Sequence, residues 1–440
     1  MVRTHRSHRA SRLPAARAWF GRLALGGGIS LAALGLAGVT APLVHAVTQT
    51  LTLTTTGDPA VTACPASGGD PCSLRQAITV ANGDSGDTIS LPAGTYSVTQ
   101  GVLPPINESM SFVGASAATT IIDGPTTADG STFSIGAGGL TVDFSHLTIQ
   151  DTDNTGAGGG AVSTADSGVV SVTDVALINN AGGYVGGWQN DGSTSTTMTD
   201  VTISGNQTTT YSDSAYAAGL RNDGTLTLIN VTIANNVAGS GSHAAGGIEN
   251  TGSLTIINSD VVGNRGDGST DTGAGGMYLT GGSADVVNSI VSGNTSDSSG
   301  PTNCSAPVDT TSHNIEDGTT CGFTGSGDQN ADPDLGALAY NGGELATEAL
   351  QTGSPAIQAA LRSSCPTDDE RGVVRITGSD TTCDIGAYEY SATTTGAPVP
   401  ATGAAAAGDG SVPPWALVLL IAGLVLASAA RLIRRGDSAV

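Results

Sequence analysis

Thr225-Leu226-Thr227-Leu228-Ile229-Asn230-Val231-Thr232-Ile233-Ala234-Asn235-Asn236, a polar loop, and Gly246-Gly247-Ile248-Glu249-Asn250-Thr251-Gly252 together make one unit of a repeat. Short apolar alternation reads as half-buried strand, and the Asn and Gly clusters read as turns. The same order recurs between Leu140 and Ser305. Aligning on the Asn after the second strand gives Asn180, Asn206, Asn236, Asn264 and Asn294, spaced by 26, 30, 28 and 30. Three positions before each stand Leu177, Ile203, Ile233, Val261 and Val291. Eight positions before stand Val172, Met198, Leu228, Ile256 and Val286. A third strand opens on small residues at Gly186-Gly187-Trp188, Ala218-Gly219-Leu220, Gly246-Gly247-Ile248 and Gly275-Gly276-Met277.

A period of this length with three short strands per unit is what a parallel β-solenoid requires. No unit buries its apolar face alone, and stacking at about 4.8 Å builds one continuous core. The Asn column is expected to form an internal hydrogen-bonded ladder. Loops of changing length, around Gln207–Ala217, Ala238–Ala245 and Gly266–Gly273, project from one side. Thr88–Leu91, Ser111–Val113 and Thr120–Gly124 read as earlier coils. Upstream, Ser73 with Gln76 reads as a capping box. Leu74, Ala77, Ile78 and Ala81 share one face of the helix that follows, which would cover the first coil.

Composition narrows the function. Of 440 residues, 64 are Gly, 12% are charged, and the net charge is −23; all 15 basic residues are Arg. Without Lys there is no Schiff-base or Walker-type phosphate chemistry. Without clustered basic residues, nucleic acid is not an expected partner. The stretch 47–402 carries a net charge of about −30, a soluble surface that repels anionic polymers unless cations bridge them.

Both ends read as addresses. Six Arg precede an apolar stretch from Leu23 to about Leu43, and Val44-His45-Ala46 offers a cleavage site, the layout of a signal peptide over 1–46. At the other end, apolar Trp415 to Ala430 is followed by Arg431, Arg434 and Arg435, which places the tail inside and the body outside. Val399-Pro400-Ala401-Thr402-Gly403, a small-residue spacer, the apolar segment and the basic tail together resemble a sortase sorting signal. That resemblance implies thiol attack at the Thr402 carbonyl and transfer to a cell-wall amine; a plain membrane anchor is the alternative. Either way the protein is expected to be secreted and held at the cell surface.

Cys72–Asn82, with Leu91–Tyr96 after it, resembles the CSLREA domain of secreted bacterial proteins, with Gln76 where the family has Glu. Asp332–Gly336, Asn341–Gly343, Ser354–Ile357, Arg371-Gly372 and Cys383–Ala387 resemble the choice-of-anchor Q domain. The resemblance spans about 60–390. It implies a right-handed parallel β-helix displayed at the surface, and no established activity. The expected organisation is an all-β chain: signal peptide 1–46, N-terminal cap 47–85, coils 86–305, disulfide-bearing C-terminal cap 306–390, spacer 391–413, membrane segment 414–431 and cytoplasmic tail 432–440.

Six Cys allow fifteen pairings. Proximity favours Cys64–Cys72, Cys304–Cys321 and Cys365–Cys383, each stapling a frayable region. Asp328, Asn330, Asp332 and Asp334 alternate as calcium ligands do, but Pro333 replaces the turn Gly and Ala339 stands where the bidentate Glu belongs; Asp151–Gly156 is a weaker partial match. Otherwise no cofactor is expected. Asp174 and Asp200 align one coil apart as a like-charge pair, although Asn230, Asn258 and Asn288 continue that column as turn residues. Trp188 is the single Trp of 47–402, and the six His form no motif. The reading is therefore a non-catalytic surface protein, adhesin-like or envelope-structural, binding an extracellular protein or glycan through loops on one side. The alternative is a polysaccharide lyase or glycoside hydrolase.

Overall fold

The computed structural model describes residues 48–391, apart from 60–63, 65–71, 127–129, 155–158, 165–167, 209–215, 240–244, 267–272, 298–299 and 379. The expected signal peptide, the Val399–Gly403 motif, the membrane segment and the tail lie outside these residues. Among the described residues no helix is long and apolar enough to cross a membrane.

The chain is a parallel β-helix. Its longest sheet stacks Asp87–Leu91, Met110–Gly114, Thr141–Gln150, Val169–Ile178, Ser195–Ser204 and Thr225–Ala234 in parallel, then continues through shorter strands to Gln329–Asn330. A six-stranded sheet stacks Phe133–Ile135, Val162–Thr164, Trp188–Asn190, Leu220–Asn222, Ile248–Asn250 and Met277–Leu279. Each long strand bends where the chain takes up a left-handed conformation, at His146, Asp174, Asp200 and Asn230 (φ 53° to 56°). Asp, Asn and His tolerate that conformation better than other side chains with a Cβ. The small residues before the six-stranded sheet have a separate cause. A Cβ on Gly187 would lie 2.4 Å from the Gly219 carbonyl oxygen, and one on Gly219 would lie 2.6 Å from that of Gly247.

The interior is built of columns. Val172, Met198, Leu228, Ile256 and Val286 stack in register, as do Leu177, Ile203, Ile233, Val261 and Val291. Phe112, Phe133, Phe144 and Trp188 form an aromatic cluster at the early coils, with ring centroids 4.9 to 6.2 Å apart. Trp188 is fully buried, so it serves the core and presents no platform to a ligand. The Asn ladder forms as expected. Each amide donates to the next Asn Oδ1 at 2.9 to 3.0 Å from Asn180 to Asn294, and also to a backbone carbonyl in the preceding coil.

The helix Leu74–Ala81 buries Leu74, Ala77, Ile78 and Ala81, and the Gln76 backbone N–H donates to Ser73 Oγ at 3.3 Å, the forward half of the capping box. All three disulfides join the neighbouring cysteines, Cys64–Cys72, Cys304–Cys321 and Cys365–Cys383.

The C-terminal block does more than close an end. After Gln329–Asn330 pairs with the last coil, the chain doubles back along the flank of the long sheet. Ala234, Val262, Ile290 and Ile315, which point outward from the coils, form a second apolar core with Leu350, Ala356, Ile385 and Tyr388. The motif residues carry this docking. Gly386 donates its N–H to the Asn288 carbonyl at 2.8 Å, and a Cβ there would lie 2.5 Å from Asp260 Oδ1. Arg371 grips Asp369 and stacks 3.5 Å over the Tyr388 ring.

Between block and coils lies a buried polar seam. Arg375, fully buried, donates to Asn230 Oδ1 at 2.7 Å, the Gly386 carbonyl at 2.9 Å and Glu389 Oε2 at 3.3 Å. Glu370 accepts hydroxyls from Thr202 and Thr232 on adjacent coils. Burial pushes its carboxyl well above the usual range. Burial, reinforced by Glu348, raises Asp260 to about 8, and burial with Asp384 raises Glu389 to about 8.

The Asn ladder, the left-handed turn column and the buried seam can each be tested. Asn236→Leu orphans its neighbours in the ladder and should cost about 2–4 kcal/mol in calorimetric unfolding. Asn235→Gly should cost less than about 1 kcal/mol, because Gly205 and Gly263 already occupy that left-handed column. The seam acids have native pKa values above their unfolded ones. Their stabilisation is complete below the ordinary carboxylate range and is lost as pH rises through 8. The melting temperature should therefore drop by several degrees between pH 5 and pH 8.5. Asp260→Asn should flatten that slope, which general surface repulsion would leave in place.

Candidate functional site

Two polar surfaces run along the coils. The first is the column through the bends of the long strands. Thr173 pairs with Thr199 and Val175 with Val201, so Asp174 and Asp200 face each other one coil apart, as the repeat alignment requires. His146 occupies the same position one coil earlier, its Nδ1 3.3 Å from Asp174 Oδ2. Asn230 Nδ2 donates to Asp200 Oδ1 at 2.9 Å. The result is an unbroken polar line of His146, Asp174, Asp200 and Asn230.

Burial raises the Asp200 carboxyl to about 6; the Asn230 amide opposes the shift, while Asp174 and Asp369 add to it. Burial also raises Asp174, against the effect of His146 and with that of Glu344. A carboxyl raised to about 6 suits proton transfer near neutral pH. The column is only half open, however. Asn230, Asn258 and Asn288 are covered by the C-terminal block, bonding to Asp368, Asp384 and Leu361. His146, Asp174 and Asp200 stay partly exposed. His146 carries no sequence motif; the signal for it was its position 28 residues before Asp174, in register with the repeat.

The second surface is the outer face of the six-stranded sheet. Its outward column reads Ser134, Ser163, Gln189, Arg221, Glu249 and Tyr278, one residue per coil. Tyr184 and Tyr216 flank it with ring centroids 5.8 Å apart, and the Arg221 guanidinium sits 3.9 Å over the Tyr216 ring, a cation–π contact. Arg221 also pairs with Asp223 at 2.9 Å. Its Nε lies 3.9 Å from Glu249 Oε2, beyond hydrogen-bond reach, and neither atom has a hydrogen-bond partner among the described residues. Glu249 is 4% exposed, and burial pushes its carboxyl up to about 7, against Arg221 and with Asp223. Where the column begins, an open groove of about 350 Å³ is lined by Leu103, Pro105, Ser131, Ser134 and Ser163 among others.

The described ends of the three variable loops adjoin this second face. Their inner parts, 209–215, 240–244 and 267–272, with Tyr211, lie outside the described residues. Their exits at Ala217, Ala245 and Ala274 are packed together beneath Tyr278. Tyr216 stands at the exit of the first loop.

The calcium candidates are not gathered around one point. Asp328 Oδ1 accepts from the Asn314 backbone and side-chain amides at 2.8 and 3.1 Å, and its Oδ2 accepts from the Gly325 N–H and the Thr311 hydroxyl. Asp332 Oδ1 accepts the Asp334 N–H at 2.9 Å, and Asn330 lies in the strand on the last coil. Among the described residues no three His, Cys, Asp or Glu side chains are grouped to hold a metal ion. Asp328 extends the polar column of Asn314 instead. In the partial match at Asp151–Gly156, Asp153 is tied by its backbone to Pro125 and Ala181.

No family model matches the chain, and no curated protein matches it. Among solved structures, the crystal structure of pectate lyase Pel9A is similar with a TM-score of 0.39 and 13% identity, covering 78% of this chain and 97% of that one. The A-module of mannuronan C-5 epimerase AlgE6 from Azotobacter vinelandii is similar with a TM-score of 0.26 and 14% identity, covering 59% of this chain and 91% of that one.

Proposed function

We propose that the chain is a non-catalytic cell-surface β-helix, adhesin-like or envelope-structural, which binds an extracellular partner on the outer face of its six-stranded sheet. The observation that carries this reading is the Tyr184–Tyr216–Arg221–Glu249 cluster beside the exits of the variable loops. Rigid coils hold Arg221 and Glu249 in one row with the two Tyr beside them, a layout suited to recognition. Three disulfides suit an oxidising, extracellular setting. The resemblance to CSLREA and choice-of-anchor Q proteins supports surface display, with Thr402 as the point of sortase attachment or the apolar segment as a membrane anchor.

The second reading is a polysaccharide lyase or glycoside hydrolase. One observation favours it, the half-open His146–Asp174–Asp200 column with Asp200 raised to about 6.

Two experiments test these readings. The full chain is incubated with a polysaccharide panel, with and without calcium, while retention and chain length are followed. The expected result is no shortening, and no effect of Asp174→Asn or Asp200→Asn on retention. Shortening abolished by Asp200→Asn would establish the second reading instead. In a sortase-bearing host, Thr402→Ala should convert a wall-linked, detergent-insoluble protein into a detergent-extractable one. Detergent extraction of the unaltered protein would point to the membrane as its anchor.

A further inference from the structure

We infer that the outer face of the six-stranded sheet binds a neutral glycan, with Arg221 Nε and Glu249 Oε2 sharing one sugar hydroxyl and Tyr184 and Tyr216 forming the apolar wall beside it. This rests on the surface-binding reading and names its ligand class.

The argument begins with two unmet groups. Among the described residues, Arg221 Nε–H has no acceptor and Glu249 Oε2, 3.9 Å away, has no hydrogen-bond partner. At that separation they cannot satisfy each other, yet one oxygen can lie within about 2.8 Å of both. The oxygen that fits must accept from Arg221 and bond to Glu249 at once. A hydroxyl does this, because it carries a donor and two acceptor sites. Both atoms are out of solvent contact in the free protein, so the Tyr216 ring packed on the guanidinium must tilt away to admit the hydroxyl while Arg221 and Glu249 keep their places. A buried, unsatisfied pair of this kind is costly in the free protein, and satisfying it on binding recovers that cost.

Charge selects among hydroxyl-bearing ligands. Arg221 is met by Asp223 at 2.9 Å and by Glu249, within a stretch whose net charge is about −30. A uronate or other polyanion would be repelled. Shape agrees with a chain-like ligand. The groove lined by Ser131, Ser134 and Ser163 leads into Gln189 and then Arg221 along one column, with steps of about 4.8 Å from coil to coil. Tyr216 and Tyr184 supply flat apolar surface with a polar edge, at little entropic cost.

The test is affinity electrophoresis of the full chain through gels holding a neutral glucan, mannan or galactan, with polygalacturonate as the charged comparison. At least one neutral glycan should retard the protein, and polygalacturonate should not. Tyr216→Ala and Arg221→Gln should each weaken retardation roughly tenfold. Glu249→Gln should keep most of it. Glu249→Leu should lose it without a lower melting temperature, since it removes a buried unsatisfied carboxyl. Retardation indifferent to these variants would overturn the site while leaving a surface-binding function in place. Absence of retardation by every neutral glycan would overturn the ligand class and leave a protein partner. Retardation by polygalacturonate would overturn the charge argument. Shortened glycan would overturn the non-catalytic reading itself.

Discussion

A buried primary amide must find an acceptor for each N–H and a donor for its oxygen. In a stack of coils the nearest supplier is the same residue one coil away. Asn180, Asn206, Asn236, Asn264 and Asn294 meet this demand in series, and Asn294 hands the chain of bonds on to Asn303 and then Asp317. A slip of one residue would put an amide against aliphatic side chains and leave several bonds unmade. The ladder thus fixes the register in which the Val, Ile and Leu columns stack. A second, shorter ladder of Asn190, Asn222 and Asn250 does the same at the strand ends of the six-stranded sheet. With both edges of the coil pinned, the side chains that point outward are placed by the interior rather than by their own contacts.

The C-terminal block exploits that placement. Thr202 and Thr232 stand on neighbouring coils because Ile203 and Ile233 are stacked behind them, and Glu370 reaches both hydroxyls. Asn230, forced into a left-handed bend by the repeat, is free to bond Asp200 on one side and Arg375 on the other. A side chain selected for its backbone conformation becomes a docking contact. The same economy explains why the acid column and the docked block share a boundary at Asp200.

The repeat, its two core columns, the Asn ladder, the capping helix and the disulfide partners were legible in the sequence. Each depends on spacing along the chain or on proximity within it. The flank packing was not legible, because it joins residues such as Asn230 and Arg375 that share no period. The block's motif residues Arg371, Asp384 and Gly386 stood out without showing what they face. His146 and the Arg221–Glu249 pair fall between these cases. Both obey the repeat: His146 precedes Asp174 by one unit, and Arg221 and Glu249 are each the second residue after a Gly that follows a small residue. Residue type carries no signal at these positions, since no His motif or basic cluster surrounds them; position within the coil does.

The route by which the chain leaves the fold bears on its mechanics. Gly386 and Ala387 are tied to Asn288 and Asp260, and the Glu389 and Tyr390 backbones to Asp369 and Asp384, so the exit lies partway along the stack and not at its last coil. Tension arriving through residues beyond Tyr390 enters from the side. It loads the Arg371 and Arg375 contacts together and spreads over several coils at once. A pull on the final coil would instead unzip strands one after another. Side entry would set these bonds to bear a load together, which gives a packing detail of the flank a mechanical consequence.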